Sequence, residues 1–540
     1  MRGFRLLIYV CVLMAAVSCL AQTQPAKLMP GFGEVKHKVS TSNDEAQKYL
    51  NQGLALCYGF NHAEGERAFR RAAELDPKLA MAWWGVAYAV GPNYNLPVDE
   101  GRERIAFEAI GKAQALEDGA TQAERDYIAA MAKRYTDAKN PDYQKIQQNY
   151  AGAMKELSQK YPDDLDAAAL YAESLMNLHP WKLWDKQGRP NEGTEEIVRT
   201  LESVLRRDPQ HIGANHFYIH AVEASNQPER ANDSAHRLAG LAPASGHLVH
   251  MPAHIYIRTG EHEASEKTNV AAAKADEEFL QATGAQGVYP MMYYTHNLRF
   301  IAVENSFLGN YAKAIAAAEK IQKNVGPHAK EMPMAEAFNP MPLLVMTRFH
   351  RWDDILKQAP PDASLPYSNA VWHYARGMAQ AATGRLPQAR EEIAALKLAQ
   401  PGVEKQAEAA KIHNLSRNGR IMQRLLEAKI AEAGGDRQTT ITYLREAAAE
   451  EDNLDYQEPP DWFAPARETL GGMLLLSGKA AEAEQVFRDD LKHNPKNPRS
   501  IFGLAKALEA QGKKAEAQVQ EQSFESAWKN ADVKLRVEGL

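Results

Sequence analysis

The sequence predicts an all-α fold built from antiparallel helix pairs, and three observations support that class. Alanine is abundant, runs of β-branched residues are scarce, and two similar phrases that each carry a His-x-x-x-His pair, "GANHFYIHAVEAS" and "GHLVHMPAHIYIRTG", recur 34 residues apart. The 540 residues are 45% hydrophobic and 24% charged, which is typical of a packed protein rather than a disordered one. The net charge of −6 gives no electrostatic basis for binding nucleic acid or anionic lipid.

The N-terminal residues 1–21 predict a secretory signal peptide. Two arginines precede an apolar run that is too short for a comfortable membrane span. Cleavage is expected near Ala21, and the alternative is a lipoprotein anchored at Cys19. Residues 22–44 are expected to form a linker. We therefore expect an exported protein, periplasmic or secreted, with no transmembrane span.

Two stretches show the spacing of small residues, phenylalanine and proline that a packed helix pair needs. Small residues let two antiparallel helices approach, the phenylalanine fills the gap to the next pair, and the proline ends the second helix. These residues are Gly53, Gly65, Phe69, Ala72 and Pro77 in the first stretch, and Gly471, Gly478, Ala483, Phe487 and Pro495 in the second. The pattern resembles the tetratricopeptide-repeat (TPR) family over most of residues 46–530.

The TPR resemblance implies a right-handed α-solenoid with a concave groove, lined by the first helix of each pair. We expect an N-terminal half with a histidine-lined groove at 45–325 and a C-terminal half at 326–540. The phrases "GFNHAE", "HLVHMPAHIY" and "EPPDWF" also resemble a group of secreted bacterial TPR proteins that has no firm biochemical role. A TPR fold implies binding rather than chemistry, so function must be argued from the residues of the groove.

In the TPR register the two histidine pairs face the groove. His216 and His250 take the fifth position of their helices, and His220 and His254 take the ninth, so each pair shares one helical face. An i, i+4 pair can share one ion, and imidazoles from neighbouring helices can reach a common metal. The predicted metal ligands are His216, His220, His250 and His254, with Glu173 or Glu223 completing or orienting the set.

The same register predicts further residues along the groove. Pro252, between His250 and His254, implies either that a helix begins at Met251 or that the helix is kinked there. The predicted groove lining comprises His62, Trp84, Tyr88, Glu173, Asn177, His247, His296 and Arg299.

Three functions remain open from the sequence. The first is binding of one or two transition-metal ions, with zinc, copper, iron and manganese all compatible with histidine and carboxylate ligands. The second is a metal-dependent enzyme that activates water or dioxygen, with Glu173 or Glu223 as general base. The third is a metal-free scaffold that binds a peptide, protein or small molecule in the groove. Peptide grooves are typically rich in Asn, Lys and Arg, whereas this one is rich in His and Glu, which favours metal.

Overall fold

The structure is a computed structural model that describes residues 26–97 and 99–540. The predicted signal peptide, with Cys19 and Ala21, lies outside the described residues. Every regular element of the described chain is helical, apart from two isolated β-bridges. None of the helices described combines the length and the apolar character needed to cross a membrane. The predicted all-α class is confirmed.

Short-range caps help to define where the helices begin. Side chains of Asn43, Asp99, Asp142 and Asp164 each accept hydrogen bonds from backbone N–H groups of the first helical turn. The α-helices, numbered in chain order, are α1 (Asp44–Tyr58), α2 (His62–Leu75), α3 (Ala80–Val90), α4 (Glu100–Ala115), α5 (Gln122–Met131), α6 (Tyr143–Lys160), α7 (Leu165–Met176), α8 (Thr194–Arg207), α9 (Ile212–Val222), α10 (Asn232–Leu241), α11 (Gly246–His250), α12 (Pro252–Thr259), α13 (His262–Thr283), α14 (Thr295–Phe307), α15 (Tyr311–Val325), α16 (Pro333–Phe338), α17 (Met341–Arg348), α18 (Trp352–Leu356), α19 (Pro366–Ala382), α20 (Leu386–Ala410), α21 (Asn414–Ala433), α22 (Arg437–Glu451), α23 (Ala466–Leu476), α24 (Ala480–His493), α25 (Pro498–Ala510) and α26 (Lys514–Trp528).

The helices form two compact units. Unit 1 comprises the described residues up to Ile255 together with Ala271–Pro290, and unit 2 comprises Tyr256–Val270 and Met291–Leu540. Within each unit a helix packs mainly against its neighbours in the chain, as α1 does on α2 and α19 on α20. Each unit is thus built from successive antiparallel helix pairs. The predicted division of the repeats at 45–325 and 326–540 stays a prediction.

Two phenylalanines explain why small residues recur in the sequence. Phe69 is fully buried between α1 and α3. A Cβ atom would lie 2.7 Å from its ring if added at Gly53 and 2.2 Å if added at Gly85, so neither position has room for a side chain. Phe487 of unit 2 stands in the same relation to Gly471, where an added Cβ would lie 2.3 Å away. Both units therefore use the packing that the sequence pattern predicts.

Residues 26–43, most of the predicted linker, form no helix and pack against the helices of unit 1. The backbone N–H of Ala244 donates to the carbonyl of Gly31 at 2.8 Å, and Gln52 accepts from the backbone N–H of Met29 at 2.6 Å. Phe32 of this segment is buried. In addition, α9 packs against α1, far from it in the chain. The packing of α1 therefore helps to bury the helix that carries the first histidine pair.

Candidate metal centre

Two helical segments of unit 1 position the histidines. α9 carries His216 and His220, and its residues are buried throughout. The second segment is interrupted: α11 ends at His250, and α12 begins at Pro252. Met251 between them keeps a right-handed helical backbone, with φ −50° and ψ −34°. The new helix therefore begins at Pro252, one residue after the predicted start at Met251, and the proline stands where its missing N–H costs no helical hydrogen bond.

Five histidines of unit 1 form one buried group, which we call the histidine cluster: His216, His220, His247, His250 and His254. Each is at most 2% exposed. The Nε2 atoms of His216 and His247 lie 3.0 Å apart, and those of His250 and His254 lie 2.8 Å apart. One ligand atom from each of His216, His220 and His247 falls within 4.8 Å of the other two. The four histidines predicted as ligands thus meet, and His247, predicted only as groove lining, joins them.

The opposite nitrogen of His216 is held by the backbone. Its Nδ1 lies 2.6 Å from the carbonyl oxygen of Tyr58, in the last turn of α1, where carbonyls have no partner within the helix. A carbonyl oxygen can only accept, so Nδ1 carries the hydrogen and donates it. In a neutral imidazole this leaves the lone pair on Nε2, the atom that faces His247.

Glu223, the residue after α9, orients two more imidazoles. Its Oε1 accepts from Nδ1 of His220 at 2.8 Å, and its Oε2 accepts from Nδ1 of His254. In both imidazoles Nε2 therefore carries a lone pair and no hydrogen. The Nε2 atom of His220 has no hydrogen-bond partner among the described residues, although it is buried. A carboxylate that fixes the tautomer of a metal-ligating histidine is a common arrangement around protein-bound metals.

The protonation states of the cluster follow from burial. Burial lowers the pKa of His220, and it lowers the pKa values of His216 and His247 well below the usual range, with further lowering by the neighbouring imidazoles. Burial raises the pKa of Glu223, but the adjacent His254 and His220 outweigh it and bring the value down to about 2. At neutral pH the carboxylate is ionised and these imidazoles are neutral, which are the forms that metal binding requires.

Aromatic rings from loops enclose the cluster. The ring centroid of Phe60 lies 4.4 Å from His216 and 5.4 Å from His247. Tyr94 and Trp181 contact His220 with centroid distances of 5.3 and 5.7 Å. The sequence interpretation missed Phe60 and Tyr94 as site residues. The available signal was an aromatic residue within each of the loop phrases "GFNHAE" and "GPNYN".

Several predicted groove residues of unit 1 lie elsewhere. Nδ1 of His62 is bonded to the carbonyl of Ala89 at 2.9 Å. Trp84 stacks on Tyr88 with a centroid distance of 5.7 Å, and both are 1% exposed. Glu173 accepts from the amide of Asn177 at 2.6 Å and lies 4.0 Å from the guanidinium of Arg134. Glu173 and Glu223, both predicted as candidate bases, therefore belong to different buried groups.

The remaining predicted residues, His296 and Arg299, belong to unit 2. His296 contacts the ring of Phe300 with a centroid distance of 5.2 Å. Arg299 donates to Asp461 at 2.9 Å and to the carbonyl of Pro460 at 3.0 Å. Arg299 therefore has a carboxylate partner within its own unit.

Comparisons with known proteins give distant structural similarities only. No family model matches the sequence, and no curated protein matches it. A structure of the human IFIT1 dimer with m7Gppp-AAAA is similar at 12% identity and a TM-score of 0.32, covering 90% of this chain and 91% of the other. The P58(IPK) TPR domain is similar at 14% identity and a TM-score of 0.21, covering 87% and 98%. Yeast Tom70 is similar at 10% identity and a TM-score of 0.28, covering 89% and 90%. At such TM-scores the fold rests on the helix packing of this chain.

Proposed function

We propose that the histidine cluster is a transition-metal site and that the protein is a metal-binding helical-repeat protein. The observation that carries this proposal is the orientation of the imidazoles. Nδ1 of His216, His220 and His254 donates to an oxygen acceptor, so their Nε2 lone pairs are directed elsewhere. Two of these lone pairs face another Nε2 atom at 3.0 and 2.8 Å. Without a metal each of these two lone pairs accepts a hydrogen carried on the facing Nε2. A bound cation would take the place of that hydrogen and be ligated by both rings.

The donor set narrows the choice of metal. Glu223 accepts from two Nδ1–H groups and also lies within reach of an ion near His220 and His254, so imidazole nitrogens are the most numerous ligands among the described residues of this site. Imidazole suits zinc, copper and iron, whereas manganese is better served by carboxylate and water. We therefore retain zinc, copper and iron, and rank manganese below them. We assign one ion to His216, His220 and His247, with the adjacent pair His250 and His254 completing its coordination or holding a second ion.

The burial of the predicted groove residues argues against the alternative function, a metal-free scaffold that binds a peptide at these residues. Trp84, Tyr88, His216 and His220 were expected to line an open groove, yet each is at most 2% exposed. A peptide would have no access to these side chains without a rearrangement of unit 1. A metal ion needs only the volume between the imidazoles. The buried stripe therefore favours a metal site over a peptide clamp at these residues.

The metal proposal is tested by elemental analysis of the untagged protein after dialysis. We expect about one or two equivalents of zinc, copper or iron, and an X-ray absorption spectrum dominated by imidazole nitrogens at about 2.0–2.1 Å. The double variant H216A/H247A should lose the metal, and H328A, which removes an exposed histidine of unit 2, should retain it. A folded wild-type protein that neither contains metal nor takes it up on titration would refute the proposal.

We further propose that the protein is exported, on the basis of residues 1–21. Intact-mass measurement of the protein recovered from the cell envelope tests this. A mature N-terminus near residue 22 supports cleavage at Ala21, and a lipid-modified Cys19 supports the anchored form. Recovery of the whole chain with its N-terminal Met in the cytoplasm would contradict export.

A further inference from the structure

Unit 2 contains a cavity, whereas the histidine cluster belongs to unit 1. Its walls come mainly from α17, α19, α21, α22 and α23, and it is partly open to solvent. Its volume is about 80 Å³. A single buried water needs about 10–15 Å³, and a cavity that binds benzene measures about 150 Å³. The cavity therefore has room for a molecule of a few non-hydrogen atoms.

Most of the cavity wall is apolar. Tyr374, Leu425, Trp462 and Met473 all line it, and each is at most 7% exposed. Small-molecule sites in proteins typically combine such walls with a few polar groups that fix the orientation of the ligand. The apolar part of the wall suits the carbon atoms of a ligand.

The charged groups around the cavity favour an anion. Three cations line it: Arg348, Lys429 and Arg499. Desolvation lowers the pKa of His350, another lining residue, to about 3, and the three cations lower it further. His350 is therefore neutral at pH 7 and adds no charge of its own. A positive potential from three directions attracts a negatively charged group.

Two of these cations have hydrogen-bonding capacity to offer. Arg348 donates from Nη1 and Nη2 to the carboxylate of Glu468, but its buried Nε has no hydrogen-bond partner among the described residues. Lys429 donates one of its three N–H groups to Glu432 at 2.8 Å. A buried donor without an acceptor is costly, so the free Nε–H of Arg348 points to an acceptor supplied by a ligand.

We propose that this cavity binds a short-chain aliphatic carboxylate of about three to five carbon atoms. The carboxylate would accept from Nε of Arg348 and from Lys429, and the alkyl chain would lie against the apolar wall. A neutral molecule of the same shape would make weaker hydrogen bonds, because it lacks the charge. An inorganic anion would leave the apolar wall uncovered. The proposal does not depend on the metal.

Calorimetric titration of the full chain tests the proposal. The probes are propanoate, butanoate and pentanoate, with butanamide as the neutral isostere and inorganic phosphate as an anion without an alkyl chain. We expect at least one of the three acids to bind saturably, with a Kd of about 1 mM or tighter. Butanamide should bind about tenfold more weakly than butanoate or worse, and phosphate should not bind saturably. Carboxylates also ligate metals, so the titration is repeated with H216A/H247A, which should bind the acid as the wild type does.

Variants locate the bound acid within unit 2. K429Q removes one cation from the cavity, so the affinity for the acid should fall about tenfold. K397Q is the matched control: Lys397 lies outside the cavity, is half exposed and pairs with Glu427 at 2.7 Å, so this variant should bind as the wild type does. A428L adds three carbon atoms to the cavity wall and should abolish binding, while the helical circular dichroism stays unchanged.

Four outcomes would overturn the proposal. None of the three acids binds, or butanamide binds as tightly as butanoate. K429Q binds the acid as K397Q does. H216A/H247A loses the binding, which would place the acid at the histidine cluster instead of the cavity.

Discussion

Both units bury a cluster of ionisable groups, but the two clusters are completed differently. In unit 2 the carboxylate of Glu468 accepts from Arg348 at 2.9 Å, from Arg499 at 2.8 Å and from the amide of Asn497 at 2.8 Å. Both of its oxygens are occupied, and opposite charges lie in direct contact. In unit 1 Glu223 accepts from two of the five imidazoles of the histidine cluster, His220 and His254. The Nε2 atoms of His216 and His247 face each other, as do those of His250 and His254.

This difference distinguishes buried polar groups that stabilise the fold from buried polar groups that are arranged to bind a ligand. The unit 2 cluster satisfies its charges from within, so removing one partner should change stability. In the histidine cluster the Nδ1 atoms of His216, His220 and His254 donate to oxygen acceptors, so their Nε2 lone pairs point toward the other imidazoles. Removing an orienting acceptor should therefore change metal binding. Phe69 in unit 1 and Phe487 in unit 2 pack against glycines of neighbouring helices in the same way. The repeat supplies the framework, and the residues at its buried positions determine the chemistry.

The largest expected effect, on the free energy of unfolding, comes from removing the charge of Glu468 in unit 2. E468Q would leave Arg348 and Arg499 buried with no full negative charge beside them. We expect the free energy of unfolding to fall by about 3–5 kcal/mol, measured by urea denaturation. The metal content should not change.

A matched control for E468Q is E482Q. Glu482 pairs with Arg445 at 2.6 Å, but both side chains are about half exposed, with relative exposures of 46% and 56%. Loss of this pair should change the unfolding free energy by only about 0–1 kcal/mol. If E468Q and E482Q lower the free energy of unfolding equally, the buried ion pairs of Glu468 contribute no more to stability than an exposed pair.

The next largest effect, on metal affinity, is expected from removing the carboxylate that orients His220 and His254. In E223Q the amide can no longer accept from both His220 and His254, so the two imidazoles lose their fixed tautomer. Metal affinity should fall about 10- to 100-fold, as measured by competition with a chelator. E124Q, at a buried carboxylate that bonds to Thr121 and Ser40, should leave the affinity unchanged. If E223Q binds metal like the wild type, Glu223 is not an orienting residue.

The fold was predictable because the contacts that define a helix pair are short-range. Gly53 and Phe69 lie on consecutive helices, so their spacing in the sequence already records their packing. The convergence of His216 with His220 was predictable for a similar reason, since residues four apart share a helical face. Those contacts depend on helix geometry alone.

The rest of the site depends on contacts that join distant parts of the chain. The acceptor for His216 is the carbonyl of Tyr58, 158 residues away, and a backbone carbonyl leaves no mark in a sequence. The TPR register placed Glu173 and Glu223 on one groove, whereas the structure pairs Glu173 with Asn177 and Glu223 with two histidines. Phe60 escaped notice because its role requires α9 to pack against α1. Register predicts which face a residue occupies but not which partner it meets there.

The smallest expected effect comes from a second polar group of unit 1, formed by His37, Tyr58 and Asp166. It tests whether this group is independent of the metal site. Asp166 accepts from the hydroxyl of Tyr58 at 2.5 Å and pairs with Nδ1 of His37 at 2.9 Å. Burial lowers the pKa of His37, but the hydrogen bond and charge of Asp166 outweigh it, so the pKa lies above its usual value. The stabilisation is therefore complete below about pH 6.5, the unfolded pKa, and is lost as the pH rises through the folded pKa.

H37Q should remove this pH dependence. The wild-type unfolding free energy should decline as the pH rises above about 6.5, and the variant should show a flatter profile. H328Q, at an exposed histidine, should follow the wild type. Metal affinity at a fixed pH should be the same in all three proteins, because Tyr58 holds His216 through its backbone carbonyl and Asp166 through its side chain. A lower metal affinity in H37Q would instead mean that the position of Tyr58 couples the two clusters, so that the N-terminal segment helps to orient the metal ligands.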